Sequence, residues 1–199
     1  MGAAKWIGGF LGFMAGGPLG AIAGLALGWL FDESLNSGKD EGMYNNREYD
    51  DYTRRQREAQ RQYEGQRNSF LFSMLALSSY IIRADGKVMH SEMELMRNFL
   101  RANFGEAAVS QGEEILLKLF EQQKQMGQPR FRGLIMQACS QIAANMDYAQ
   151  RLQLLNFLVQ IAQADGIVVT EEVNALRDMA SYLGIASDDL DSMLNLNNG

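Results

Sequence analysis

Three successive patterns of hydrophobic and polar positions divide the chain of 199 residues. Residues 6–31 are apolar or small and carry no charge, whereas residues 32–67 are rich in charged and amide side chains. From residue 68 onward, apolar residues recur with the 3.6-residue period of amphipathic helices. We therefore predict a membrane segment at 1–31, a polar, partly helical linker at 32–67 and a helical domain at 68–199.

The uncharged stretch is long enough for a single membrane crossing. Lys5 and Asp32 bracket its 26 residues, and a helix of that length spans about 39 Å, against about 30 Å of hydrocarbon. Trp6 and Trp29 lie near its ends, where aromatic residues favour the membrane interfaces. Two alternatives remain, a cleaved signal peptide and a re-entrant hairpin bent at the sequence GGP (16–18).

Glycine recurs at every fourth position of this stretch, in a row formed by Gly8, Gly12, Gly16, Gly20, Gly24 and Gly28. Because glycine weakens a helix in water, so regular a row calls for another explanation. A row of small residues lets two membrane helices bring their backbones into close contact. We therefore predict that this helix forms a homo-oligomer in the lipid bilayer; the alternative is that glycine is simply common in membrane helices.

The basic residues around the membrane segment predict its orientation. Lys5 alone precedes the segment, whereas the linker carries seven basic residues. The positive-inside rule then predicts a single-pass membrane protein with its C-terminal domain in the cytoplasm. We interpret the arginine-rich stretch at 47–67 as a solvated helical stalk, because acidic residues interrupt it. Contact of these arginines with anionic lipid headgroups is the alternative.

The C-terminal domain is predicted to be an all-α bundle, because its helical period continues without a convincing strand. The whole chain has two prolines, which also disfavours a β-sandwich with its many turns. Seven helices are predicted, at residues 69–84, 91–104, 113–125, 129–146, 147–164, 170–184 and 187–196.

One sequence repeats inside this domain. The segment ADGKVMHSEMELMR at 84–97 aligns with ADGIVVTEEVNALR at 164–177, which is 80 residues further along the chain. Each copy lies between an apolar helix and an amphipathic helix. The repeat therefore predicts two helical hairpins with equivalent loops, related by a pseudo-two-fold axis.

The pattern shared by the two loops is D-G-x-V-x-x-x-E, which has the spacing of the second half of an EF-hand loop. The first half of an EF-hand is missing. Ile81 and Arg83 in one copy, and Ile161 and Gln163 in the other, stand where the first oxygen ligands are needed. A calcium-binding EF-hand is therefore not expected.

Two interpretations of the repeated loops remain open. In the first, the loops are structural connectors: aspartate bonds loop amides, Val88 and Val168 pack into the core, and glutamate stabilises the start of a helix. In the second, the pseudo-symmetry brings four carboxylates together as ligands of a divalent cation. These candidate metal ligands are Asp85, Glu92, Asp165 and Glu172.

Composition excludes several classes of function. The net charge of -6 disfavours general nucleic-acid binding. His90 and Cys139 are the single histidine and the single cysteine, so no pair of nucleophile and base can be assembled around the histidine. We expect His90 at the surface near a helix start and Cys139 in the core. The protein is therefore predicted not to be an enzyme, and no cofactor beyond the divalent cation is expected.

The paired ADG-x-V-x-x-x-E loops between apolar helices resemble those of TerB-like domains, named after tellurite-resistance proteins. A glycine-rich membrane segment before such a domain resembles the N-terminal part of DjlA-type membrane-anchored DnaJ co-chaperones. The resemblance implies an all-helical domain whose acidic loop positions are Asp85, Glu92, Asp165 and Glu172. DjlA-type proteins end in a J domain with a His-Pro-Asp tripeptide, which this sequence lacks. We therefore expect either a stand-alone relative or a truncated piece.

These patterns together predict a membrane-anchored, non-enzymatic module for protein interaction or stress response. Its helical domain is expected to bind protein partners and to respond to a divalent cation. Two alternatives remain: a structural membrane protein that forms higher-order oligomers through its glycine row, and a DjlA-type co-chaperone without its J domain.

Overall fold

The computed structural model describes residues 17–23, 47–84, 86–88 and 90–196. These residues form helices joined by short loops, and no strand occurs among them. The predicted all-α class is therefore confirmed for this part of the chain. After a helical segment at 17–23, the helices are α1 (Arg47–Ile82), α2 (His90–Phe104), α3 (Glu106–Met126), α4 (Gln128–Asn145), α5 (Tyr148–Ala162), α6 (Thr170–Tyr182) and α7 (Ser187–Leu196).

The second half of α1 is the centre of the bundle. Every residue from 71 to 82 is buried, and a helix that is buried on all sides must be enclosed by other helices. Helices α3, α4, α5 and α6 all pack against α1. Helix α2 packs on α3 and α5, and α7 packs on α5 and α6. The first repeated loop follows α1 and the second follows α5, and these two helices contact each other.

The first half of α1 is polar and belongs to the predicted linker. The helix is 36 residues long and continues across the boundary that the sequence placed between residues 67 and 68. Arg54, Arg55 and Gln56 are exposed, as expected for a solvated stalk. The stalk and the central core helix are thus one continuous element.

Short connections with defined geometry separate the helices that follow. Gly105 lies between α2 and α3, and Gly127 lies between α3 and α4. Asp147 caps α5, since its carboxylate accepts a hydrogen bond from the backbone N–H of Gln150 at 2.8 Å. The Gln150 side chain in turn accepts one from the backbone N–H of Asp147 at 3.2 Å, which completes a capping box. This arrangement satisfies backbone donors that have no partner within the helix.

Polar side chains hold the C-terminal helix α7 on the bundle. The hydroxyl of Tyr148 donates a hydrogen bond to the carboxylate of Asp189, and it also accepts one from the backbone N–H of Ala186 at 3.2 Å. Arg151 donates to the carbonyl oxygen of Leu183 at 2.6 Å, in the turn before α7. These contacts connect the start of α5 with the turn that leads into α7.

The short helical segment 17–23 packs against this bundle. Leu19, Ile22 and Ala23 are buried in the same hydrophobic core as the bundle helices. The backbone N–H of Leu19 donates to the side-chain oxygen of Gln141, in α4, at 3.0 Å. Part of the predicted membrane segment therefore contacts the helical domain.

The predicted membrane crossing lies mostly outside the described residues. No helix among the described residues is long and apolar enough to cross a membrane. Gly17 has a φ of +79°, outside the range of a right-handed helix, and it lies in the GGP sequence where the hairpin alternative placed its bend. In the predicted glycine row, Gly20 is described and half-buried, whereas five members lie outside the described residues: Gly8, Gly12, Gly16, Gly24 and Gly28.

Candidate functional site

The two repeated loops have the same backbone geometry. Each contains a glycine with positive φ, +81° at Gly86 and +85° at Gly166, and this conformation strains any other L-residue. Each loop also closes with three equivalent backbone hydrogen bonds. In the first loop, the N–H groups of Arg83, Ala84 and Gly86 donate to the carbonyl oxygens of Ser79, Ile81 and Arg83, respectively. In the second loop, those of Gln163, Ala164 and Gly166 donate to the carbonyl oxygens of Val159, Ile161 and Gln163. The predicted equivalence of the loops is therefore confirmed for the backbone of their described residues, and the pseudo-two-fold axis stays a prediction.

The glutamates of the repeat occupy equivalent buried positions. Glu92 is the third residue of α2 and is 1% exposed, and Glu172 is the third residue of α6 and is 3% exposed. Both lie in the first turn of their helix, where the partial positive charge of the helix N-terminus favours a carboxylate. Each of the two residues has at least one interaction with its surroundings. Burial of an ionised carboxylate is costly, so each of these groups is either compensated by its surroundings or protonated.

Of the two aspartates of the repeat, the structure describes one. Asp165 is exposed, and its carboxylate accepts a hydrogen bond from the backbone N–H of Ile167 at 3.2 Å. This local bond is the one that the structural-connector interpretation predicts for aspartate. Asp85 lies outside the described residues. The structure therefore describes three of the four carboxylates: Glu92 and Glu172 are buried, and Asp165 is exposed.

Within the described part of the chain, no three or more histidine, cysteine, aspartate or glutamate side chains are grouped so that they could hold a metal ion. Asp85 lies outside that part of the chain, so the four-carboxylate cation site stays a prediction. The missing first half of an EF-hand is also visible in the packing. Ile81 and Ile161 are fully buried in the core, so the positions of the first ligands are occupied by apolar side chains.

The loop valines differ from each other. Val168 packs partly buried against the core, as the connector interpretation predicted. Val88 is 43% exposed, so the same prediction is wrong for the first loop. The neighbouring Ile167 is also exposed, at 68%. The described parts of the two loops thus have closely similar turns, whereas the packing of their side chains differs.

An open groove lies beside the two loops, with a volume of about 630 Å³. The first half of α2 and the last turn of α5 form its walls, and its lining includes His90, Ser91, Glu94, Asn98, Gln160 and Gln163. The exposed position of His90 confirms the prediction of a surface histidine near a helix start. The sequence analysis missed this groove. The repeat contained a signal for it, since the groove residues immediately follow the first loop and immediately precede the second.

The single cysteine has no access to solvent. Cys139 is fully buried in α4, and this burial raises the pKa of its thiol far above the ordinary value. A thiol in such surroundings stays protonated, and the protonated form is the unreactive one. The prediction that Cys139 is a core residue is confirmed.

Comparison with known proteins agrees with these loops and helices. The model of the family "Tellurite resistance protein TerB" matches residues 72–195, from the buried half of α1 to the end of α7. The model "Co-chaperone DjlA transmembrane domain" matches residues 1–47, immediately before and including the first residue of α1. No curated protein and no solved structure matches the chain significantly. Since the first match covers more than half of the chain, the protein belongs to the TerB family and carries a DjlA-type transmembrane segment before its TerB domain.

Proposed function

We propose that this protein is a membrane-anchored, non-enzymatic TerB module whose paired loops bind a divalent cation. The observation that supports the proposal most strongly is the burial of Glu92 and Glu172 at equivalent positions, 1% and 3% exposed. A buried carboxylate needs a compensating positive charge or hydrogen bonds, and a doubly charged cation supplies such compensation for several carboxylates at once. Carboxylate oxygens are also the ligands that hard cations prefer.

In this proposal each carboxylate of the repeat has a distinct part. Glu92 and Glu172 supply buried oxygens at the first turns of α2 and α6, and Asp85 and Asp165 supply oxygens from the loops themselves. The cation supplies positive charge that offsets the repulsion between these groups. Because the two glutamates lie in the first turns of α2 and α6, ion binding would stabilise both helix starts, and the start of α2 lines the groove. In this proposal, ion binding thereby fixes the surface that a protein partner of the TerB domain contacts.

The first experiment is a thermal melt of the full chain in detergent, with millimolar Ca²⁺ or Mg²⁺ and with a chelator. An ion that binds the folded state alone stabilises it by about 2.7 kcal/mol at a hundredfold excess over its Kd. We expect the ion to raise the midpoint of the wild type by several degrees and to leave the double variant Asp85→Asn/Asp165→Asn unchanged.

The matched control is Asp188→Asn, which removes an exposed aspartate in the first turn of α7, away from the repeat. This variant should respond to the ion as the wild type does. A wild-type midpoint that ignores both ions would leave the loops as structural connectors. The same conclusion would follow if the double variant responded to the ion as strongly as the control.

We further propose that the DjlA-type segment crosses the membrane once, places the TerB domain in the cytoplasm and self-associates through its glycine row. The match of residues 1–47 to a transmembrane-domain family supports membrane association. The four-residue glycine period supports close contact between two such segments. A structural protein that assembles into larger oligomers through the same row is the alternative, and the size of the assembly distinguishes the two.

Substitution in the glycine row tests this self-association. Replacing Gly16, Gly20 and Gly24 with isoleucine places branched side chains between the helices, so we expect the crosslinked oligomer to be lost in bilayers. The corresponding change of Ala15 and Ala21 to isoleucine is the control, because these residues lie outside the face that Gly16, Gly20 and Gly24 would form on a helix. An oligomer distribution that the glycine changes leave as it is would contradict the proposal, and a large uniform oligomer would favour the structural alternative.

A further inference from the structure

The helical segment 17–23 has two environments that it cannot occupy at once. Leu19 and Ile22 are 0% and 2% exposed in the core that they share with the bundle. The same residues lie inside the stretch 1–47 that matches a transmembrane domain. A side chain that is buried among the bundle helices is not in contact with lipid or with a second membrane helix. The contact therefore describes a state other than the inserted one.

The backbone of the segment is arranged for this contact. Gly17 has a φ of +79°, and Pro18 follows it at the start of the helical turn. The first N–H groups of a helix have no acceptor within the helix, and Leu19 has one of them. Its acceptor is the side-chain oxygen of Gln141, at 3.0 Å, from a residue 122 positions away. Gln141 thus caps a helix that belongs to another part of the chain.

Gly17 also leaves the room that this cap requires. A Cβ atom at position 17 would lie 3.0–3.3 Å from the amide atoms of Gln141. Any side chain there would press on the capping amide, in addition to straining the backbone at positive φ. The close approach of Gly17 and the hydrogen bond to Leu19 both involve the same glutamine. Both contacts therefore belong to one docked geometry.

In a bilayer the same segment has different requirements. A membrane helix must close its backbone hydrogen bonds internally, so the N–H of Leu19 would bond within the segment rather than to Gln141. Apolar burial is available to Leu19 and Ile22 in both places, in the bundle core or in hydrocarbon. The two states are therefore alternatives, and the hydrogen bond to Gln141 is present in the docked state alone.

We propose that residues 17–23 form a docked helix, capped by Gln141, when the N-terminal segment is outside the bilayer, and that insertion requires this helix to leave the bundle. Departure of the segment uncovers the apolar surface that Leu19, Ile22 and Ala23 cover. Insertion of the anchor is in this way coupled to a change in the surface of the TerB domain. The docked helix acts as an internal cover for that surface.

A disulfide trap in the full chain tests the docked state directly. Gly17→Cys and Gln141→Cys are combined in a Cys139→Ala background, and the chain is synthesised without cells in the absence or presence of phosphatidylcholine vesicles. We expect mild oxidation to form the intramolecular disulfide without vesicles and to form several-fold less of it in the vesicle-bound fraction. The control pair is Gly17→Cys with Gln137→Cys, because Gln137 is exposed, lies one helical turn from Gln141 and is not among the nearest neighbours of Gly17.

A second variant avoids the strained glycine. Gln141→Leu removes the acceptor while keeping a side chain of similar size, and we expect the vesicle-bound fraction to rise roughly fivefold relative to the unbound one, the factor that one ordinary neutral hydrogen bond contributes. Gln137→Leu should leave this ratio as it is in the wild type. The proposal is overturned if the 17–141 pair forms no more disulfide than the 17–137 pair, if the disulfide yield is the same in the vesicle-bound fraction, or if Gln141→Leu partitions as Gln137→Leu does.

Discussion

The sequence predicts the conformation or burial of some residues of the repeat and not of others. The glycine of each loop is recognisable from the D-G pair, and both glycines have the positive φ that this pair suggests. The burial of Glu92 and Glu172 is not visible, because glutamate in the first turn of a helix is usually solvated. The exposure of Val88 is also hidden, since Val168 at the equivalent position packs on the core.

Two glycines with opposite requirements give a prediction at this scale. Gly166 has a φ of +85°, so Gly166→Ala should destabilise the fold by about 1–2 kcal/mol. Gly133 lies within α4, and a Cβ there would meet no atom within 4 Å, so Gly133→Ala should stabilise the fold by about 0.5–1 kcal/mol through better helix propensity. Denaturant unfolding of the two variants measures both effects. A neutral Gly166→Ala would show that the loop tolerates another conformation.

Whole helices were predictable where their apolar period is uninterrupted, and less so at their ends. The third helix begins at Glu106, seven residues before the predicted start, and it passes through Gly112. The side chain of Leu100 packs against this glycine, 2.5 Å from where a Cβ would be, so the packing of α2 on α3 leaves no room for a larger residue there. The central helix also begins much earlier than its apolar part, at Arg47. Tertiary packing and a polar, solvated extension decide these ends, and neither is encoded in the local hydrophobic period.

At the scale of the whole molecule, the arrangement depends on contacts between distant parts of the chain. The family match, the repeat and the all-α class follow from patterns that a sequence displays. The contact of Leu19 with Gln141 does not, because it joins elements that are far apart in the chain and have no shared local signal. The groove has a partial signal, since its residues flank the two copies of the repeat, but the packing of α2 on α5 that forms it is not encoded there. The central claim at this scale is that the two halves of the repeat act together on one cation.

The number of divalent cations bound per chain tests that claim most directly. Equilibrium dialysis of the full chain in detergent against Ca²⁺ and Mg²⁺ would compare the wild type with the double variant Glu92→Gln/Glu172→Gln. The control is Glu94→Gln/Glu171→Gln, which removes the same charge from exposed positions of the same two helices. We expect the wild type and the control to bind one cation per chain and the buried-pair variant to lose it. Equal binding by all three proteins, or no binding by the wild type, would contradict the account.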